Sequence, residues 1–125
     1  MMRFQDAQAV AYAMPGGEAS APSRARPVDL VHLSRQTMGD RALEAEVLAM
    51  FLHQALTVRE SIVHADFHDR KSLAHALKGA ALGVGAFAVA ECASDIEKRP
   101  EDAVLPKKLA RRIEEVRDFI AAISR

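Results

Sequence analysis

The sequence predicts an all-α protein, an antiparallel four-helix bundle with a short additional N-terminal helix. Three observations carry this. From Val28 onward apolar residues recur at spacings of three and four, the period of a helix with one buried face. Glycine, proline and capping aspartates cut that pattern into pieces of helical length. No segment shows the apolar-polar alternation of a half-buried strand.

The composition agrees with one domain. The chain has 125 residues, 50% hydrophobic and 27% charged, enough for one core and too few for a second of similar size. Lysine plus arginine balance aspartate plus glutamate at 17 each. That neutrality gives no basic field for nucleic acid and no acidic surplus for a polycation, so specific docking is expected instead. The single cysteine, Cys92, rules out an internal disulfide framework and a C-x-x-C metal or redox motif, in keeping with a reducing compartment. No apolar run approaches the roughly 18 residues of a membrane span. Gln5 and Asp6 interrupt the place where a signal peptide would begin its hydrophobic stretch. A cytoplasmic protein with no membrane partner is the expectation.

Residues 1–27 contain Gly16-Gly17, Pro15, Pro22, Pro27, Ser20 and Ser23 and keep no period, so they are read as a flexible tail, with the bundle occupying residues 28–125. Within the tail, "FQDAQAVAYAM" can form a short helix that touches the body through Phe4, Val10 and Tyr12. "PVDLVHLSRQTMGD" predicts a short helix opened by Pro27 and Asp29 and closed at Gly39. Asp40 caps a long helix reaching Ala65, with Leu43, Val47, Met50, Phe51, Val58 and Ile62 in the repeat. Asp69 caps the next, which ends at Gly83 and Gly85. A helix from Ala86 to Lys98 buries Val89, Cys92, Ala93 and Ile96 before Pro100. Pro106 starts the last, with Leu109, Ile113, Val116, Ile120 and Ile123 inward.

The stretch "AHALKGAALGVGA", residues 74–86, sets His75 and Lys78 in a run otherwise small or apolar. At about 100° per residue, Leu73, Leu77, Ala80 and Val84 fall opposite His75 and form the core stripe. His75 therefore points to solvent, with Lys71 and Ser72 one turn before, Lys78 and Gly79 one turn after, and Leu82 two turns after. Glycine within a helix costs about 1 kcal/mol relative to alanine, so Gly79 calls for a reason. A bare backbone beside an imidazole lets another molecule approach. Imidazole ordinarily titrates near pH 6.5, and its neutral form has a lone pair for attack on an electrophile. Lys78 can balance the negative charge of an arriving phosphoryl group. The bland alternative is a solvated histidine beside a surface lysine.

Those same residues resemble the signature of histidine-containing phosphotransfer (HPt) domains: a histidine, then a hydrophobic residue, Lys-Gly, small residues and a hydrophobic-Gly pair, here His75, Leu77, Lys78, Gly79, Ala80, Ala81, Val84 and Gly85. The resemblance runs from about Asp29 to Ile123, since "DLVHLSRQTMGDRALEAEVLAMFLHQA" is similar to the family's leading segment. It implies a four-helix bundle whose histidine takes a phosphoryl group from one receiver-domain aspartate and passes it to another. His75 would be phosphorylated on the ring nitrogen distal to the backbone, with Lys78 near the phosphoryl oxygens and Gly79 leaving room for the receiver. The implied partners are response-regulator receiver domains and a hybrid histidine kinase. Magnesium would belong to the receiver, because no carboxylates cluster near His75 in sequence, and the chain itself would need no cofactor. No G-x-x-x-x-G-K-[ST] loop is present, so a phosphocarrier is expected and not a kinase. In the family a polar residue, often glutamine, on the following helix bonds the proximal ring nitrogen. Glu97 falls at that place, able to accept the N–H and also to repel an incoming phosphoryl group.

Other residues have plainer readings. His64 and His68, four apart with Asp66 and Asp69 nearby, have ligand spacing but lie at a helix break with no further His or Cys to complete a site, so no metal is expected. His32 and His53 are read as solvated, and Cys92 as packing. Lys107, Lys108, Arg111 and Arg112 form a solvated face that, with Arg35 or Arg41, could orient an acidic receiver. Leu82, with Ser72 and with Leu48 and Leu52 on a second stripe of the long helix, is expected to form an apolar docking patch. Two other functions stand beside phosphotransfer: a non-phosphorylated helical adaptor on a receiver or kinase, and a dimerising bundle. Retention of His75 with Lys78 and Gly79 favours transfer, and the limited patch favours a monomer.

Overall fold

The structure, a computed structural model, describes residues 26–124. The tail assigned to residues 1–27 and its short helix thus lie outside the described residues, save Arg26 and Pro27. Among the described residues there are five helices: α1 (Leu30–Gln36), α2 (Arg41–Ile62), α3 (Phe67–Val84), α4 (Phe87–Lys98) and α5 (Val104–Ile123). None is long and apolar enough to cross a membrane.

The helices α2, α3, α4 and α5 close a ring in which each packs on the two beside it, and α1 lies against α2 and α3. The connections at 63–66, 85–86 and 99–103 are too short for the chain to return to its starting end, so consecutive helices run antiparallel. The expected bundle is therefore the fold.

Local chemistry sets the boundaries. The Asp29 side chain accepts from the backbone N–H groups of Val31 and His32 and starts α1. Asp40 accepts from Leu43 N–H and starts α2. Between them Met38 and Gly39 both take positive φ, a tight reversal that a glycine eases. The cap of α3 is Asp66, not Asp69: the Asp66 carboxylate accepts from Asp69 N–H at 2.8 Å. Asp69 instead sits in the first turn, where its charge favours the helix N-terminus. The last helix starts at Val104 and not at Pro106. Asp102 accepts from Val104 N–H, and Pro106, still within the first turn, has no N–H to satisfy there.

The core is built from Leu33, Phe51, Val58, Ile62, Leu77, Val89, Ile96, Leu109, Ile113 and Val116, with alanines between. Three expectations of burial are corrected. Met50 and Leu43 are 72% and 41% exposed, because they lie about 80–100° around α2 from Phe51, at and beyond the edge of the buried stripe. Leu48 and Ala55 take the inward places instead. Ile123 is also exposed, being in the final turn of α5. The buried arc of α3 is Ala74, Leu77, Ala81 and Val84, with Leu73 and Ala80 only partly covered. The arc is turned toward α4 because small side chains there (Ala74, Ala81, Ala86, Ala90 and Ala93, all buried) let the two helices approach closely, as the close packing of organic crystals requires. His32 is half-buried rather than solvated, its ring edge-on to Phe87 with centroids 5.3 Å apart.

Gly85 closes α3 in the left-handed region, φ +87°, and also ties α1 to the bundle. Its carbonyl accepts from Asp29 N–H at 2.9 Å, and a Cβ on Gly85 would meet the Asp29 carbonyl oxygen at 3.0 Å. One residue thus ends the histidine helix and fixes where the leading helix docks.

Candidate functional site: an imidazole clasped by a carboxylate

With Ala74 and Ala81 turned toward α4 and Leu77 toward the core, the remaining arc of α3, beginning beside α4, is left to solvent. His75 stands there with 73% of its side chain exposed. Ser72, Ala76, Gly79, Leu82 and Gly83 surround it, all exposed. A Cβ placed on Gly79 or Gly83 would meet nothing within 4 Å. The two glycines are not demanded by packing inside this chain; they lower the surface beside the imidazole.

Lys78 leans toward α4, where Glu97 rises from the last turn. One Glu97 carboxylate oxygen lies 2.8 Å from His75 Nδ1 and the other 3.0 Å from Lys78 Nζ. Glu97 is only 17% exposed, Lys78 32%. Burial alone would push the Glu97 carboxyl up, but the hydrogen bonds from Lys78 and His75, and then their charges, outweigh it and hold the carboxyl below its ordinary value. At neutral pH it is a carboxylate, which can only accept hydrogen bonds. The proton is therefore on His75 Nδ1, and in the neutral ring it is Nε2 that carries the lone pair.

The residues singled out from sequence divide as follows. His75, Lys78, Gly79 and Glu97 are brought together, and Leu82, 46% exposed, lies on the same face two turns along with Ser72 one turn back. Lys71 is exposed on that face and stands outside the Glu97 clasp, whose ionic partners are His75 and Lys78. Leu48 does not belong: it is 4% exposed and part of the core, because the inward stripe of α2 is centred between Phe51 and Ala55 and includes it. Leu52 is half-buried. His64 and His68 are both exposed, and no group of three or more His, Cys, Asp or Glu able to hold a metal ion occurs among the described residues. Cys92 is buried, and that burial, ahead of neighbouring charges, pushes its thiol up to about 11.

Sequence inspection misses the Lys78 to Glu97 ion pair. Its signal is faint, opposite charges on two helices joined by the short turn at 85–86. It also misses Arg70, whose guanidinium donates to the carbonyls of Ile62 at 3.1 Å and Pro100 at 2.9 Å, because carbonyl partners leave no mark in a sequence.

An all-helical bundle that holds an exposed imidazole in one tautomer, beside two glycines, is built to offer a histidine nitrogen. The Hpt domain family model matches residues 46–125, and the chain belongs to that family. It is a histidine-phosphotransfer module of phosphorelays, a phosphocarrier type and not a catalyst, that works with response-regulator receiver domains. The match takes in most of α2 and all of α3, α4 and α5. No curated protein and no solved structure matches the chain.

Proposed function

We propose that this protein is a phosphorelay intermediate in which His75 accepts a phosphoryl group from the aspartate of one receiver domain and passes it to another. The observation that supports this is the clasped imidazole, with Nδ1 engaged by Glu97, the ring largely exposed, Lys78 bound to the same carboxylate and the bare backbone of Gly79 one turn on. In the transfer the Nε2 lone pair forms the N–P bond while the bond from phosphorus to the aspartyl oxygen breaks, its electron pair leaving with the carboxylate. Lys78 offsets charge on the phosphoryl oxygens, and magnesium held by the receiver supplies the rest; the chain needs no cofactor of its own. Leu82, Ser72 and the uncovered part of Leu52 form the docking face, and Lys71 lends it positive charge. The protein acts as a monomer in the cytoplasm, downstream of a hybrid histidine kinase, without autokinase activity.

Incubation with a phosphorylated receiver and magnesium is expected to place acid-labile, alkali-stable label on the native chain and none on His75→Gln, while ATP alone labels neither. Absence of label on the native chain, from several receivers that bind it, would leave the non-phosphorylated adaptor as the function.

A further inference from the structure

Fixing the tautomer of His75 asks only for a hydrogen-bond acceptor. A side-chain amide would serve, its carbonyl oxygen receiving the Nδ1 proton as well as a carboxylate oxygen does. Glu97 brings in addition a full negative charge, 17% exposed, where solvent screens it less than at an open surface. That surplus charge calls for a reason, since an anion close to an incoming phosphoryl group is repulsive.

The proton balance of the transfer supplies one. When Nε2 takes the phosphoryl group no proton moves, so the ring keeps its Nδ1 proton and becomes a cationic N-phosphoimidazolium. When the group is passed on, the N–P bond breaks and its electron pair returns to Nε2. If Nδ1 still holds its proton, neutral imidazole departs. If that proton has been lost to solvent, imidazolate must depart, a far poorer leaving group. Whether the phosphoryl group can be passed on therefore depends on the proton at Nδ1, the atom Glu97 touches at 2.8 Å.

We infer that Glu97 is a positioning residue whose negative charge keeps the phosphorylated His75 ring protonated on Nδ1 and so holds the phosphoryl group in its transferable form. This rests on His75 being the phosphoryl acceptor. Lys78 completes the arrangement: at 3.0 Å from the second carboxylate oxygen, it keeps Glu97 ionised and tempers its repulsion toward the phosphoryl oxygens. The charged groups paired with Glu97 are Lys78 and His75, both from α3. Among the described residues it makes no ion pair with α1, α2 or α5.

The test compares the native chain with Glu97→Gln and Glu97→Ala, each labelled with nitrogen-15 histidine and phosphorylated from a phosphorylated receiver. Nitrogen NMR from pH 6 to 10 reads protonation of Nδ1 in the phosphorylated ring, and return of the group to unphosphorylated receiver is timed over the same range. The native ring is expected to hold its proton about one pH unit higher than either variant, making native transfer about tenfold faster on the alkaline side. Toward pH 6, as the rings gain their proton, native and Glu97→Gln rates should converge, which a merely misfolded variant would not do. Superimposable NMR titrations, or a rate deficit constant across pH, would overturn the inference while leaving His75 as the carrier. A native chain that takes no label at His75 would remove the reading beneath it as well.

Discussion

Truncating Leu48 and truncating Leu82 are expected to have opposite consequences. Leu48 is 4% exposed and Leu82 46%, so only the first leaves a cavity. Leu48→Ala should cost about 2–5 kcal/mol of stability, seen as a lower urea midpoint, with receiver affinity unchanged under folding conditions. Leu82→Ala should change stability by no more than about 0.5 kcal/mol and raise the receiver Kd by roughly tenfold, the equivalent of about 1.4 kcal/mol of lost contact. Titration calorimetry against one receiver, beside urea unfolding of both variants, separates the two roles. A comparable loss of affinity in Leu48→Ala would return Leu48 itself to the docking face. The same contrast shows what the sequence could and could not convey at this scale. Leu82 was legible because a single wheel, drawn from His75, sets it on the exposed side. Leu48 was not, because its side is decided by how α2 rotates against α5 and α3, and the apolar residues of α2 run around more than half its circumference.

Among the elements, α3 does most to determine function, and its end is fixed by one glycine. Gly85 combines φ +87° with a Cβ position 3.0 Å from the Asp29 carbonyl oxygen. An alanine there must pay the left-handed penalty of about 1–2 kcal/mol and also push α1 away. Gly85→Ala is therefore expected to lose about 2 kcal/mol and lower Tm by roughly 10 °C, measured by thermal unfolding followed by circular dichroism. An unchanged Tm would mean that α1 docks without the Asp29 to Gly85 contact. Element boundaries were legible wherever a single residue carries the signal: Asp29, Asp40, Gly85 and the stop before Pro100. They slipped where two residues compete. Asp66 and Asp69 are both capable caps, and only the tertiary turn after α2 selects the first. Pro106 reads as a helix start, yet Asp102 captures the N–H of Val104 two residues earlier.

Across the whole molecule, one end of the bundle is held by a residue that joins three parts of the chain at once. Arg70, from α3, donates to the final turn of α2 at Ile62 and to Pro100 in the turn between α4 and α5. On another side Arg59 of α2 pairs with Glu114 of α5 at 2.6 Å. Bonds from a charged donor are worth more than neutral ones, so Arg70→Ala should cost about 1–3 kcal/mol in urea unfolding. Label uptake at His75 should be unaffected, since Arg70 does not touch the clasp. Loss of label without loss of stability would instead assign Arg70 to the receiver contact. The bundle architecture was legible as a whole because a period of three and four residues survives many local uncertainties, whereas the cross-links that lock it are made to backbone carbonyls and between distant helices, where no spacing rule reaches. Cys92 remains as a practical consequence. It is the chain's single cysteine, it is 2% exposed, and its thiol is pushed up to about 11, so little thiolate is present or reachable at neutral pH. The native protein is in effect a blank for thiol-directed dyes and spin labels: a cysteine introduced on the His75 face would be the one that reacts, and partner engagement could be followed by fluorescence without first rebuilding the interior.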